Sequence, residues 1–143
     1  MTKPIDLDRF RSAQEHVYPQ VIAELKAGRK QGHWIWFIFP QLEGLGLSEM
    51  NARYAIRSLE EARAYLADTV LYDRLAECCD LLLAHSSQSI DRIMGYPDNL
   101  KLRSSMTLFE LADPDDPIFT EVLDTFYQGA RDPVTCELLG YSR

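Results

Sequence analysis

The chain has 143 residues, 46% of them hydrophobic and 26% charged, with 22 acidic against 15 basic side chains and a formal net charge of −7. That is the size and balance of a single globular domain, residues 1–143, built on one core. The acidic excess excludes nucleic-acid binding by bulk electrostatics, which needs clustered Lys and Arg against phosphates.

From the N-terminus, Met1 to Asp8 is followed by no apolar stretch, so no secretory leader is expected and the expected location is the cytoplasm. Asp6 precedes Leu7, Phe10, Ala13 and Val17 at helical spacing, and Pro19 opens a second segment, Val21 to Ala27, closed by Gly28. Lys26, Arg29 and Lys30 form the one basic cluster, large enough for a single anionic group such as a phosphate. His33 to Pro40 reads as a strand by propensity. No comparable stretch exists for it to pair with, which favours a short buried helix or an extended segment through the core. Its apolar run, Trp34 to Phe39, stops at Pro40, far short of the ~20 residues that span a bilayer, so no membrane association is expected.

Ser58 and Glu61 form a capping box before Leu59, Ala62 and Leu66. Asp68 caps the longest segment, whose apolar face is Leu71, Leu75, Cys78, Cys79 and Leu82, ending near His85. Ser89 caps a short turn ending at Gly95, and Asp98 caps a helix from about Asn99 to Leu111. Asp116-Pro117 and Asp132-Pro133 each set a carboxylate at the cap and proline at the first helical position, with Gly129 and Gly140 closing the two helices. The expected fold is therefore all-α, a compact set of short capped helices around an aromatic core segment. Adjacent Cys78 and Cys79 and distant Cys136 make no disulfide framework, and His16, His33 and His85 lack ligand spacing, so neither metal nor cofactor is expected.

Two segments carry more polar chemistry than a helical bundle needs. Trp34 and Trp36 build an aromatic wall whose indole N–H groups each want a partner if buried, with His33 and Gln41 at its ends. In the other segment, Leu102, Met106 and Phe109 share one helix face, while Asp98, Lys101 and Ser105 share another. Ser104, Ser105 and Thr107 either bond back to the preceding turn or line a polar pocket with Lys101. Lys101-x-x-Ser104 has the reverse polarity of a Ser-x-x-Lys nucleophile, which argues against covalent catalysis.

The strings His33-Trp34-Ile35-Trp36-Phe37-Ile38-Phe39-Pro40-Gln41, Gly44-Leu45-Gly46, Tyr54-Ala55-Ile56 and Lys101 to Phe109 resemble a widespread bacterial family of small, mainly helical proteins of unknown function. The resemblance runs from Leu7 to Gly140 and implies a helical Trp34–Trp36 segment but no reaction. The name calpastatin, carried by some members, implies a long disordered protease inhibitor, which a compact domain does not resemble. In its aromatic wall and polar helix the chain is also similar to the helical N-glycosidases of the NADAR group, which act on ADP-ribose derivatives, though no catalytic residue carries over.

The expected function is binding of a small anionic or nucleotide-derived ligand between the Trp34/Trp36 segment and the Lys101 helix. Lys101 would hold the anion, a tryptophan would stack on a ring, and His33 or Asp98 would carry a proton. The alternative is a non-enzymatic interaction module using Tyr127, Tyr141 and the acidic turn at Asp113, Asp115 and Asp116.

Overall fold

The computed structural model describes residues 5–46 and 48–141. Residues 1–4, where the segment read as lacking a leader begins, lie outside them, as do Leu47, Ser142 and Arg143. Among the described residues ten helices follow in order: α1 Asp8–Glu15, α2 Tyr18–Ala27, α3 Ile35–Ile38, α4 Glu49–Tyr54, α5 Leu59–Ala67, α6 Thr69–Leu83, α7 Ile90–Met94, α8 Asp98–Ala112, α9 Pro117–Tyr127 and α10 Pro133–Leu138. None is long and apolar enough to cross a membrane.

The helix starts are set by side-chain caps. Ser58, Asp68, Ser89, Asp116 and Asp132 each accept a backbone N–H from the first turn of α5, α6, α7, α9 and α10, an arrangement worth about 1 kcal/mol apiece. Ser48 caps α4 in the same way. Gly28 closes α2 in the left-handed conformation, φ 72°, which costs glycine no Cβ clash.

Three expectations change. Asp98 lies inside α8 rather than at its cap, and its carboxylate goes to two lysines instead of the helix backbone. Glu61 does not reach back to Ser58; it is buried and bound by Arg9 Nη2 at 2.5 Å, because a buried carboxylate gains more from a cation than from an amide. Helix α9 ends on Gln128, itself left-handed at φ 54°, one residue before Gly129.

The aromatic segment is both of the forms the sequence left open. Ile35–Ile38 makes one helical turn, and Phe39 then leaves the helix at φ −124°, ψ 72°, as a residue before proline must. The chain continues extended to Leu42, which bridges Ile56 through Ile56 N–H to Gln41 O at 2.8 Å and Glu43 N–H to Ile56 O at 2.7 Å. That single bridge is all the β-structure among the described residues.

Helix α8 is the centre, packed against α3, α5, α7, α9 and α10. From Ser104 to Ala112 every residue is buried, so its two faces do not persist beyond the first turns. Ser105, expected on the polar face, is fully buried. Around α8 runs a chain of rings: Phe10 meets Tyr65 edge-on at 5.2 Å, Tyr65 meets Phe109 at 5.2 Å, and Phe109 meets Phe119 at 5.6 Å. Gln14, buried with them, donates to Phe37 O at 2.7 Å and Tyr65 Oη at 3.1 Å, which fixes α1 against α3 and α5.

Candidate functional site

The loop from Arg29 to Trp34 is shaped by Glu24 on α2. Its Oε1 accepts the Gln31 amide at 2.7 Å, the Gly32 amide at 2.8 Å and the Trp34 indole N–H at 2.9 Å, while Gln20 Nε2 donates to Oε2 at 2.7 Å. Burial alone would raise this carboxyl, but the four donors outweigh it and hold its pKa at about 2. With Trp34 so anchored, Lys30 Nζ lies 4.9 Å from the Trp34 ring centroid, donates to Gly32 O at 2.6 Å, and pairs with Asp98 Oδ2 at 2.6 Å. The Lys30 side chain is only 5% exposed.

A second lysine and tryptophan meet the same aspartate. Lys101 Nζ is 3.8 Å from Asp98 Oδ1 and 5.1 Å from the Trp36 ring centroid, and its side chain is 23% exposed. Here the shell is incomplete. Trp36 Nε1 is buried and has no hydrogen-bond partner among the described residues, a state that costs about 1–3 kcal/mol.

Trp36 also walls a cleft of about 250 Å³ whose polar lining residues are Gln41, Glu43, Asn51 and Tyr54, with Gly44 and Gly46 at its edge. The Leu42–Ile56 bridge joins its two arms. Gly46 lets the Asn51 amide lie against the backbone here, since a Cβ would fall 2.0 Å from Asn51 Nδ2 and displace it. Gln41 Nε2 reaches Asn51 Oδ1 at 3.5 Å, so the two amides stand side by side.

The structure thus sets Trp36 and Gln41 at the cleft and Lys101, with Asp98 beside it, over the Trp36 ring rather than in the cleft lining, while Trp34 is buried. His33 is exposed on the loop before α3. Ser104 Oγ donates to Leu100 O at 3.2 Å and Thr107 Oγ1 to Arg103 O at 2.8 Å, while Thr107 Oγ1 accepts the Asp132 amide at 2.9 Å. Ser105 Oγ is buried without a hydrogen-bond partner among the described residues. Glu24 and Asn51 were not singled out by sequence, and Lys30, read with Lys26 and Arg29 as a basic cluster, pairs inward with Asp98 instead. The one available signal was the need of a buried indole N–H for an acceptor, which spacing cannot place ten residues upstream.

Residues 4–139 match the family described as protein of unknown function (DUF1810). The chain belongs to that family. Among solved structures, the conserved hypothetical protein Rv1873 from Mycobacterium tuberculosis is similar to this DUF1810 chain at 50% identity and a TM-score of 0.94, over 98% of this chain and 100% of that one. A search of the curated proteins gave no match. The DUF1810 fold is all-helical in this chain apart from the one bridge, and neither comparison attaches a reaction to it.

Proposed function

We propose that the cleft beside Trp36 binds a small, polar, nucleotide-derived ligand, with Lys101 holding its anionic group and Trp36 facing its ring. The observation that carries this is the unpaired Trp36 indole N–H beside a cleft that Trp36 lines together with the Gln41 and Asn51 amides, Tyr54 and Glu43. An acceptor on a ligand satisfies that donor, and two amides supply both donors and acceptors for an edge of the ring. Lys101 keeps charge for an incoming anion because Asp98 is spent first on Lys30, at 2.6 Å against 3.8 Å.

Both Asp98 oxygens are held by lysines, which favours binding rather than proton transfer. A volume of about 250 Å³ lies below the usual range of ligand pockets. It suits one ring with its immediate substituents, as in an ADP-ribose or N-glycoside fragment, rather than a whole dinucleotide. Such a ligand is a cytoplasmic metabolite, which makes the cytoplasm the expected location.

The test is a thermal-shift screen against adenine nucleotides, NAD, ADP-ribose and phosphorylated sugars, repeated on Lys101→Met and Gly46→Ala. One chemical class should raise the Tm by several degrees at saturation, and both variants should lose the shift. No shift with any compound, or a shift kept by both variants, rejects the proposal.

A second reading, an interaction module, draws on the exposed apolar side chains Val134, Leu138 and Tyr141 at α10. Tyr127 no longer belongs to it, since its hydroxyl donates to Asn99 O at 2.6 Å and burial pushes its pKa up. Its mark would be association abolished by Leu138→Lys in a protein indifferent to small ligands.

A further inference from the structure

A second cleft, of about 620 Å³, opens where the end of α2 meets α7, lined by Ala27, Gly28, Arg29, Gln88 and Arg92. Of the basic cluster Lys26, Arg29 and Lys30, only Lys30 turns inward to Asp98; Arg29 stays exposed at this cleft. The Lys30 amide donates to Ile93 O at 2.7 Å, which ties this loop to α7 and brings Arg29 and Arg92 to one opening.

The remaining wall is braced. His85 Nε2 bonds Lys26 O at 3.0 Å, so its Nδ1 is left to accept from Gln88 Nε2 at 3.2 Å. One Gln88 N–H is thereby spent and the second remains. Gly28 admits this approach: a Cβ there would stand 3.0 Å from both Gln88 Nε2 and His85 Cε1.

The chain has seven more acidic than basic side chains, yet neither Arg29 nor Arg92 pairs with a carboxylate among the described residues. The nearest acids in sequence are committed elsewhere: Glu24 to its four donors, and Asp91 to Asn99 Nδ2 at 2.6 Å. In an acidic protein, cations left unpaired beside one concavity concentrate positive potential there. Guanidinium forks match the oxygens of a phosphate geometrically as well as electrically.

We propose that this cleft is a second, separate binding site that takes the phosphate group of a small phosphate ester between Arg29 and Arg92, with the Gln88 amide as a third donor. The cleft is larger than a phosphate group, and the remainder receives the group that carries it.

The experiment is an isothermal titration of the whole chain at low ionic strength with inorganic phosphate, glycerol 3-phosphate and adenosine monophosphate. It is repeated on Arg29→Gln, Arg92→Gln, the double variant, and Arg57→Gln as an exposed arginine elsewhere. Saturable binding is expected, weakened about tenfold by each single cleft variant, lost in the double variant, unchanged in Arg57→Gln and reduced by salt. Tighter binding of an ester than of inorganic phosphate would support a role for the rest of the cleft. Absence of saturable binding by all three probes, or binding that survives in the double variant, overturns the proposal. Lys101→Met should leave this titration unchanged, so failure here and failure of the Trp36 cleft are told apart.

Discussion

Two lysine–tryptophan pairs share one aspartate, and they differ in how far each is finished. In the inner pair, Trp34 is 2% exposed with its indole N–H on Glu24, and Lys30 is buried with a carboxylate and a carbonyl, each at 2.6 Å. In the outer pair, Trp36 has no acceptor for its indole and Lys101 has only a 3.8 Å contact with Asp98. The same residue types therefore do two jobs. A closed set of partners holds the loop, and an open one leaves donors for something that arrives.

The sharpest way to break that contrast is Asp98→Ala. It strands the buried Lys30 ammonium, and urea denaturation should show a loss of about 3 kcal/mol. Lys101→Met keeps the Lys30–Asp98 pair and should change stability by less than about 1 kcal/mol. Equal losses in the two variants would mean that the lysines are not different in kind.

Replacing each tryptophan by phenylalanine compares the indoles directly. Trp34→Phe takes a donor from Glu24 and leaves a void, at a cost of about 2 kcal/mol. Trp36→Phe removes a donor that has no acceptor, so stability should hold or rise. A Trp36→Phe variant as unstable as Trp34→Phe would show that the outer indole is already satisfied.

The smallest effect is in acid. The Glu24 carboxyl is lowered from 4.5 to about 2 in the folded protein. Its contribution is thus fully present above pH 4.5 and lost as the pH falls from there toward 2. Glu24→Gln should lower the Tm at neutral pH and flatten the decline between those limits, measured by circular dichroism melts. An unchanged acid limb would remove Glu24 from its place as the organiser of the loop.

Much of the helical frame was legible because capping is local: Ser58, Asp68, Ser89, Asp116 and Asp132 act on amides two or three residues away. Asp98 misled the same logic, since its partners come from Lys30, 68 positions earlier, as well as from Lys101. Periodicity gave α8 two faces, whereas five neighbouring helices bury it all round beyond its first turns. Trp36, Gln41 and Lys101 could be picked out as residues surplus to packing. Gly46 and Asn51 could not, because the close approach of that glycine to the asparagine amide exists only in the folded chain.

The ring chain from Phe10 through Tyr65 and Phe109 to Phe119 joins four helices, α1, α5, α8 and α9, drawn from both ends of the sequence. On the ribosome, this part of the core cannot close when α1 and α5 emerge, because Phe109, which packs on Tyr65, arrives only with α8, and Phe119, which packs on Phe109, with α9. A nascent chain halted before Phe119 therefore presents Phe109 to solvent and to chaperones. The Phe10–Tyr65 and Tyr65–Phe109 contacts therefore carry a loop-closure entropy that forming the short helices does not.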